Sequence, residues 1–182
     1  MNITVIGRGR VGGGLAKLWT AAGHTVGTLG RDGGDASNAD VIVVAVPAAS
    51  IDDALDRVSG LNGQVTIDAC NIYSTRGSEF ASLSHQIKSI IGGPTAKSFS
   101  TNFAAAYNQL QHEPVRPGNL FAADEAARAS TEQLIEDAGY EPVFIGDLDP
   151  GARLLEDSSG LTRALAGQIG PFFYRYSRPS EL

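Results

Sequence analysis

Asn2-Ile3-Thr4-Val5-Ile6-Gly7-Arg8-Gly9-Arg10-Val11-Gly12 stands at the start of the chain, and its reading decides the fold. Asn2 to Ile6 is a short β-branched run of the kind that forms a strand. Three glycines follow at 7, 9 and 12, the G-x-G-x-x-G spacing, and the next residues, Val11 to Ala22, carry a helical pattern. Each glycine has a physical task in that setting. The first permits a tight turn, the second lets the backbone approach a pyrophosphate, and the third lets the helix pack close to the strand. The helix start adds free N–H groups and positive potential. A glycine-rich turn without a ligand has the same letters; a strand before, a helix after and a second strand ending at Leu29 favour the dinucleotide reading. The expected binding loop is therefore Gly7, Arg8, Gly9, Arg10, Val11 and Gly12.

The end of the second strand selects the cofactor. A carboxylate there accepts the ribose hydroxyls of NAD and repels a 2′-phosphate. This strand, about 25–29, runs instead into Gly30-Arg31, with Asp32 only after it. An uncharged Gly30 beside Arg31 favours NADP, because a guanidinium pairs with phosphate and stacks on adenine. The alternative is an arginine that serves only the solvated loop.

Outward from the motif, short apolar runs alternate with helical patterns. Strands are expected at about 2–6, 25–29, 40–46, 64–69, 95–99, 119–123 and 142–145. Helices are expected at about 11–22, 50–58, 78–91, 102–111 and 124–138, with a last helical stretch from 151 to about 168. The alternation predicts an α/β fold: a doubly wound, Rossmann-like parallel sheet in 3-2-1-4-5 order, extended by later strands and a C-terminal helix. At 182 residues it makes one domain, with the segment at about 151–176 closing the cleft. Ser50-Ile51-Asp52-Asp53 resembles a capping box, Asp124 and Glu125 open a helix, and Gly139 closes it.

The third strand, Ala39 to Pro47, is apolar on both faces, as a central parallel strand is. It delivers Val46 and Pro47 to the carboxyl edge, where open α/β sheets bind ligands. The fourth ends in Ala69-Cys70-Asn71. Asn71 is expected either to hydrogen-bond a nicotinamide or substrate carbonyl or to be a turn residue. Cys70 is either redox-active or, more commonly for a free cysteine at a strand end, a small packed side chain.

Composition narrows the function. The net charge is −6, and no basic stripe gathers, so nucleic acid is not an expected partner. The longest apolar run, Val41 to Ala49, is far short of a membrane span, and the start has no basic segment of a signal peptide; a cytoplasmic location is expected. A lone cysteine and three scattered histidines leave no metal-ligand spacing. No Gly-x-Ser-x-Gly turn supports a hydrolase triad.

Six segments share a pattern with one known family: the glycine motif 7–12, Gly23-His24, Arg31, Val46-Pro47, Ser98-Phe99-Ser100-Thr101, and Asp147-Leu148 leading into Ala152-Arg153-Leu154-Leu155-Glu156. Through them, nearly end to end, the chain resembles the NADP oxidoreductases that use the deazaflavin coenzyme F-420, also described as dinucleotide-binding enzymes. The resemblance implies a reductase that moves hydride between NADP(H) and a planar deazaflavin or flavin-like acceptor. Two segments depart from it. Gly30-Arg31-Asp32 stands where the family has Ser-Arg-Arg, and the loop Asn71 to Gly77 is similar only in outline. Hydride transfer between two cofactors needs no acid–base pair of the protein's own, which agrees with the absence of one. The rival reading is a dinucleotide-binding sensor without turnover. A homodimer is expected through the aromatic segment Pro171-Phe172-Phe173-Tyr174-Arg175-Tyr176, unless those rings fold back onto their own chain.

Overall fold

Residues 1–73 and 79–181 are described by the computed structural model of the chain. In chain order the elements are β1 (Asn2–Ile6), α1 (Arg10–Ala21), β2 (Thr25–Leu29), β3 (Gly34–Asp35), β4 (Val41–Val44), α2 (Ile51–Leu55), β5 (Val58–Ser59), β6 (Val65–Asp68), α3 (Leu83–Ile91), β7 (Thr95–Lys97), β8 (Gly118–Ala123), α4 (Glu125–Asp137), β9 (Glu141–Phe144) and α5 (Leu148–Ile169). Seven of the strands form one sheet in the order β2-β1-β4-β6-β7-β8-β9, and β3 and β5 make a separate two-stranded ribbon.

The α/β sheet with helices on both faces is as expected, but the order 3-2-1-4-5 is not. The strand after β2 crosses β1 and pairs on its far side, Ile3 opposite Val41 and Ile6 opposite Val44, which leaves β2 at the edge. The connection between β2 and β4, residues 30–40, holds a Gly30–Gly33 bridge and β3 but no helix. The expected all-parallel arrangement also ends at β7. β8 runs antiparallel to it, with Lys97 opposite Ala122, because the connection never crosses to the other end of the sheet. Asn102 Nδ2 donates to the Gly118 carbonyl at 3.3 Å, holding the start of β8 beside the end of β7.

Side-chain alternation along β4 assigns the faces. Val41 and Val43 join Leu15 and Trp19 of α1, and Leu134 and Ile135 of α4, in one core. Ile42 and Val44 join Ile51 and Leu55 of α2, and Ile87 and Ile91 of α3, in the other. Trp19 Nε1 donates to the Leu134 carbonyl at 2.7 Å and ties α1 to α4.

Several local expectations change. The stretch at 102–111 is a 3-10 segment, Ala104–His112. Ser50 precedes α2 without a side-chain cap bond. Asp124 and Glu125 do open α4, but Asp124 makes no side-chain cap bond; its Oδ2 accepts from Thr95 N at 2.8 Å and Lys88 Nζ at 2.6 Å. Ser82 is the side-chain cap of α3, accepting from His85 N. No helix among the described residues is long and apolar enough to cross a membrane.

Candidate functional site

The turn between β1 and α1 is built as the glycine spacing predicts. Gly7 has φ +114°, and a Cβ there would collide with the Ala45 carbonyl; one at Gly12 would collide with the Gly7 carbonyl. Both are therefore packing glycines. Gly9 differs, because a Cβ on it would meet nothing within 4 Å. It precedes α1 as a backbone cap with no side-chain bond, so the first N–H groups of a 12-residue helix face the opening beside Gly9.

Two contiguous clefts meet at Gly9, Ala45, Val46 and Pro47, on the carboxyl edge of the sheet. The first, of about 660 Å³, reaches from the glycine turn to Gly30, Arg31, Ser50, Asp53 and Arg57. Its rim is cationic. Arg8 bends over the end of β2, donating through Nη2 to the Thr28 carbonyl at 2.7 Å and through Nε at 3.2 Å. Gly30 leaves the room for it, since a Cβ there would stand 3.3 Å from Arg8 Nη1. Arg57 Nη1 donates to the Arg31 carbonyl at 3.2 Å, bringing a third guanidinium to the rim. Asp53 is the carboxylate among the lining residues; it lies 3.9 Å from Arg57 and its side chain is 80% exposed. Asp32 does not line this cleft.

The second cleft, of about 550 Å³, is lined by Arg10, Val11, Pro47, Ala48, Cys70, Asn71 and Tyr73, among others. Asn71 Nδ2 donates to the Ser100 carbonyl at 2.9 Å, while Asn71 Oδ1 has no hydrogen-bond partner among the described residues. The unsatisfied group on this side chain is thus a buried acceptor at the cleft wall, of the kind that takes the N–H₂ of a carboxamide rather than the carbonyl that the sequence reading allowed. Ser100 is aimed by a strained turn: Phe99 has φ +59°, held there by edge contacts of its ring with Trp19 and Tyr140. Cys70 is 2% exposed, its thiol donates to the Val44 carbonyl at 3.4 Å, and burial, then the charge of Asp68, holds its pKa well above the usual value. The thiol is a packed, protonated group, and the redox reading of Cys70 finds no support in it.

Of the eleven residues expected at the site, ten line these clefts and Gly12 supports them from beneath. Arg57, Ser50 and Tyr73 were not foreseen. In sequence Arg57 reads as half of an i, i+4 pair with Asp53 on a solvated helix, and only the fold brings it to Arg31. Tyr73 is 61% exposed, with the Arg163 guanidinium of α5 5.0 Å from its ring centre, so α5 meets the rim of the second cleft. Ser74 to Gly77 of the loop lie outside the described residues. No group of three or more His, Cys, Asp or Glu side chains among the described residues could hold a metal ion.

With this geometry in hand, solved structures place the chain among known folds. A protein of Arthrobacter sp. FB24, described as a candidate F420-dependent NADP-reductase, superposes with a TM-score of 0.80 at 22% identity, over 97% of this chain and 99% of its own. A hypothetical protein from Sinorhizobium meliloti gives 0.66 at 24% identity, over 84% and 88%. A reductive aminase from Aspergillus terreus, solved with NADPH4, cyclohexanone and allyl amine, gives 0.65 at 14% identity, over 92% of this chain and 63% of that longer one. This chain has their fold. No protein-family model matches the sequence, and no curated protein does.

Proposed function

We propose that the protein is an NADP-dependent oxidoreductase that transfers hydride between NADP(H) and a planar deazaflavin or flavin-like acceptor such as coenzyme F-420. The observation that carries the reading is the cationic rim of Arg8, Arg31 and Arg57 around an uncharged Gly30, continuous with the open backbone at Gly9. A 2′-phosphate is a dianion, and guanidinium groups are the side chains best fitted to its oxygens. In this assignment the glycine loop and the start of α1 receive the pyrophosphate. The second cleft receives the nicotinamide, with Asn71 Oδ1 accepting from its carboxamide and the buried Cys70 and half-buried Val46 limiting water. NADPH supplies the hydride; the protein supplies position and charge. Bound NADPH in the A. terreus reductive aminase and the description of the Arthrobacter protein support the same reading by analogy of fold.

Loss of NADPH absorbance in a screen of acceptors, F-420 and free flavins among them, tests it. Oxidation of NADPH by a planar acceptor is the expected result. Tight NADPH binding with no turnover on any acceptor would instead assign the chain to sensing. A homodimer belongs to the same proposal, supported by four exposed apolar side chains, Leu154, Leu161, Leu165 and Ile169, whose spacing returns them to one side of α5.

A further inference from the structure

A lysine with no exposed surface stands directly beneath the second cleft. Lys97, the last residue of β7, has a fully buried side chain; its Nζ lies 2.8 Å from Asp68 Oδ2 and 3.8 Å from Glu156 Oε1, and both of those side chains are fully buried too. Burying an ammonium is costly unless the geometry around it is close to ideal, so a charge at this depth asks for a reason beyond packing. Its third contact supplies one. Lys97 Nζ donates to the Cys70 carbonyl at 2.6 Å, and the Cys70 N–H donates to Asp68 Oδ1 at 2.8 Å. Both backbone groups of Cys70 are therefore held by the two halves of one ion pair. Asp68 is held in turn by Ser84 Oγ at 2.6 Å, and Glu156 Oε1 accepts from Leu83 N at 2.7 Å at the start of α3.

Cys70 and Asn71 form one wall of the second cleft. Residue 70 leads straight into Asn71, so the direction of the Cys70 carbonyl sets where the Asn71 side chain stands and where its unpartnered Oδ1 points. We infer that Lys97 is a positioning residue: with Asp68 it clamps the Cys70 peptide and thereby fixes Asn71 against the nicotinamide half of a bound NADP(H). The inference rests on the proposed function, since it needs a nicotinamide in that cleft. The adenosine half, at Arg8, Arg31 and Arg57, lies on the far side of Gly9 and makes no use of the clamp.

That division makes a test. Lys97→Met alone strands the buried carboxylates of Asp68 and Glu156 and can cost the fold, so the decisive protein is the triple variant Asp68→Asn/Lys97→Met/Glu156→Gln, in which all three charges go while the asparagine still offers an oxygen to the Cys70 N–H and the glutamine one to Leu83 N. Calorimetry compares two ligands, NADPH and 2′-phospho-ADP-ribose, which lacks the nicotinamide. Emission of bound NADPH reports how firmly the nicotinamide is held. The expected result is unchanged affinity for the fragment, about tenfold weaker NADPH, the loss of one charge-oriented hydrogen bond, and loss of the emission enhancement expected of NADPH on the wild-type protein. Turnover, where an acceptor has been found, should fall by on the order of a hundredfold through misplacement. Unchanged NADPH affinity and emission in the folded triple variant would overturn the inference. So would an equal loss for both ligands, which marks the cluster as structural only. Failure of the wild-type protein to bind either ligand is a separate outcome: it removes the proposed function, and the inference with it.

Discussion

Glycines that look alike in the sequence have different tasks in the turn. Gly7 and Gly12 are required by the protein itself, since a Cβ at either meets backbone, whereas a side chain at Gly9 enters open space. Gly9→Val should therefore fold normally and bind no NADPH; circular dichroism with calorimetry checks both halves. At the other end of the cleft, Arg31→Ala and Arg57→Ala should each weaken NADPH by about tenfold, the low end for a charge-assisted bond because these guanidinium groups face solvent. NADH affinity should hardly change. An equal loss for both nucleotides would make the arginines an adenine platform instead. Cys70 gives a pH prediction. Its pKa is raised in the folded state above the 9.0 of a free thiol, so its contribution is fully present below pH 9.0 and is lost as pH rises toward the folded value. Between 9.0 and 10.0, before the buried Tyr107 and Tyr140 begin to add the same effect from their ordinary 10.0, stability should fall by up to about 1.4 kcal/mol per pH unit. Urea denaturation of Cys70→Ala across that interval should show the decline removed.

Among the elements, the C-terminal segment departs most from its expected part. Its rings turn back on the chain: Phe172 packs on Phe103 with centroids 5.2 Å apart, Tyr174 on Phe172 at 4.9 Å, and Tyr176 stacks on Tyr174 at 5.8 Å. The backbone is fastened as well, since Gly118 N donates to the Tyr174 carbonyl at 2.8 Å, and Thr162 Oγ1 and Tyr174 Oη share a hydrogen bond of 2.9 Å. This is the fold-back that the sequence reading set against an aromatic dimer contact. Truncation after Gly170 should lower stability by roughly 2–4 kcal/mol, the order expected for uncovering several half-buried aromatic side chains. A chemical denaturation midpoint unchanged by the truncation would show that the strap adds nothing to the core. α5 reaches the rim of the second cleft through Arg163 against Tyr73.

For the molecule as a whole, the proposed homodimer would use the apolar side of α5. Leu161 at 70% and Ile169 at 64% exposed are unusual for a helix otherwise packed on β7 and β8. Light scattering at micromolar concentration should give twice the 19.0 kDa chain mass. Leu161→Glu should return a folded monomer, because a charge on that face cannot be buried without a partner. A monomeric wild-type mass at that concentration would end the prediction.

The amino-acid sequence by itself determined the α/β class, the strand–glycine turn–helix unit and ten of the residues that line the clefts. All of these follow from short-range rules: β-branched runs, glycine where a Cβ has no room, apolar periodicity. What it could not contain locally was decided by packing at long range. The place of β4 on the far side of β1 is set by which strand its apolar residues pair with, and the reversal of β8 by where its connection stays. Arg57 joins the rim only after α2 has docked, Asn71 is turned by Ser100, and Lys97 gains its partners only where the fold brings Asp68, Glu156 and the Cys70 carbonyl around it. A side chain's partners lie where the sheet brings other strands, and no window of neighbouring residues carries that.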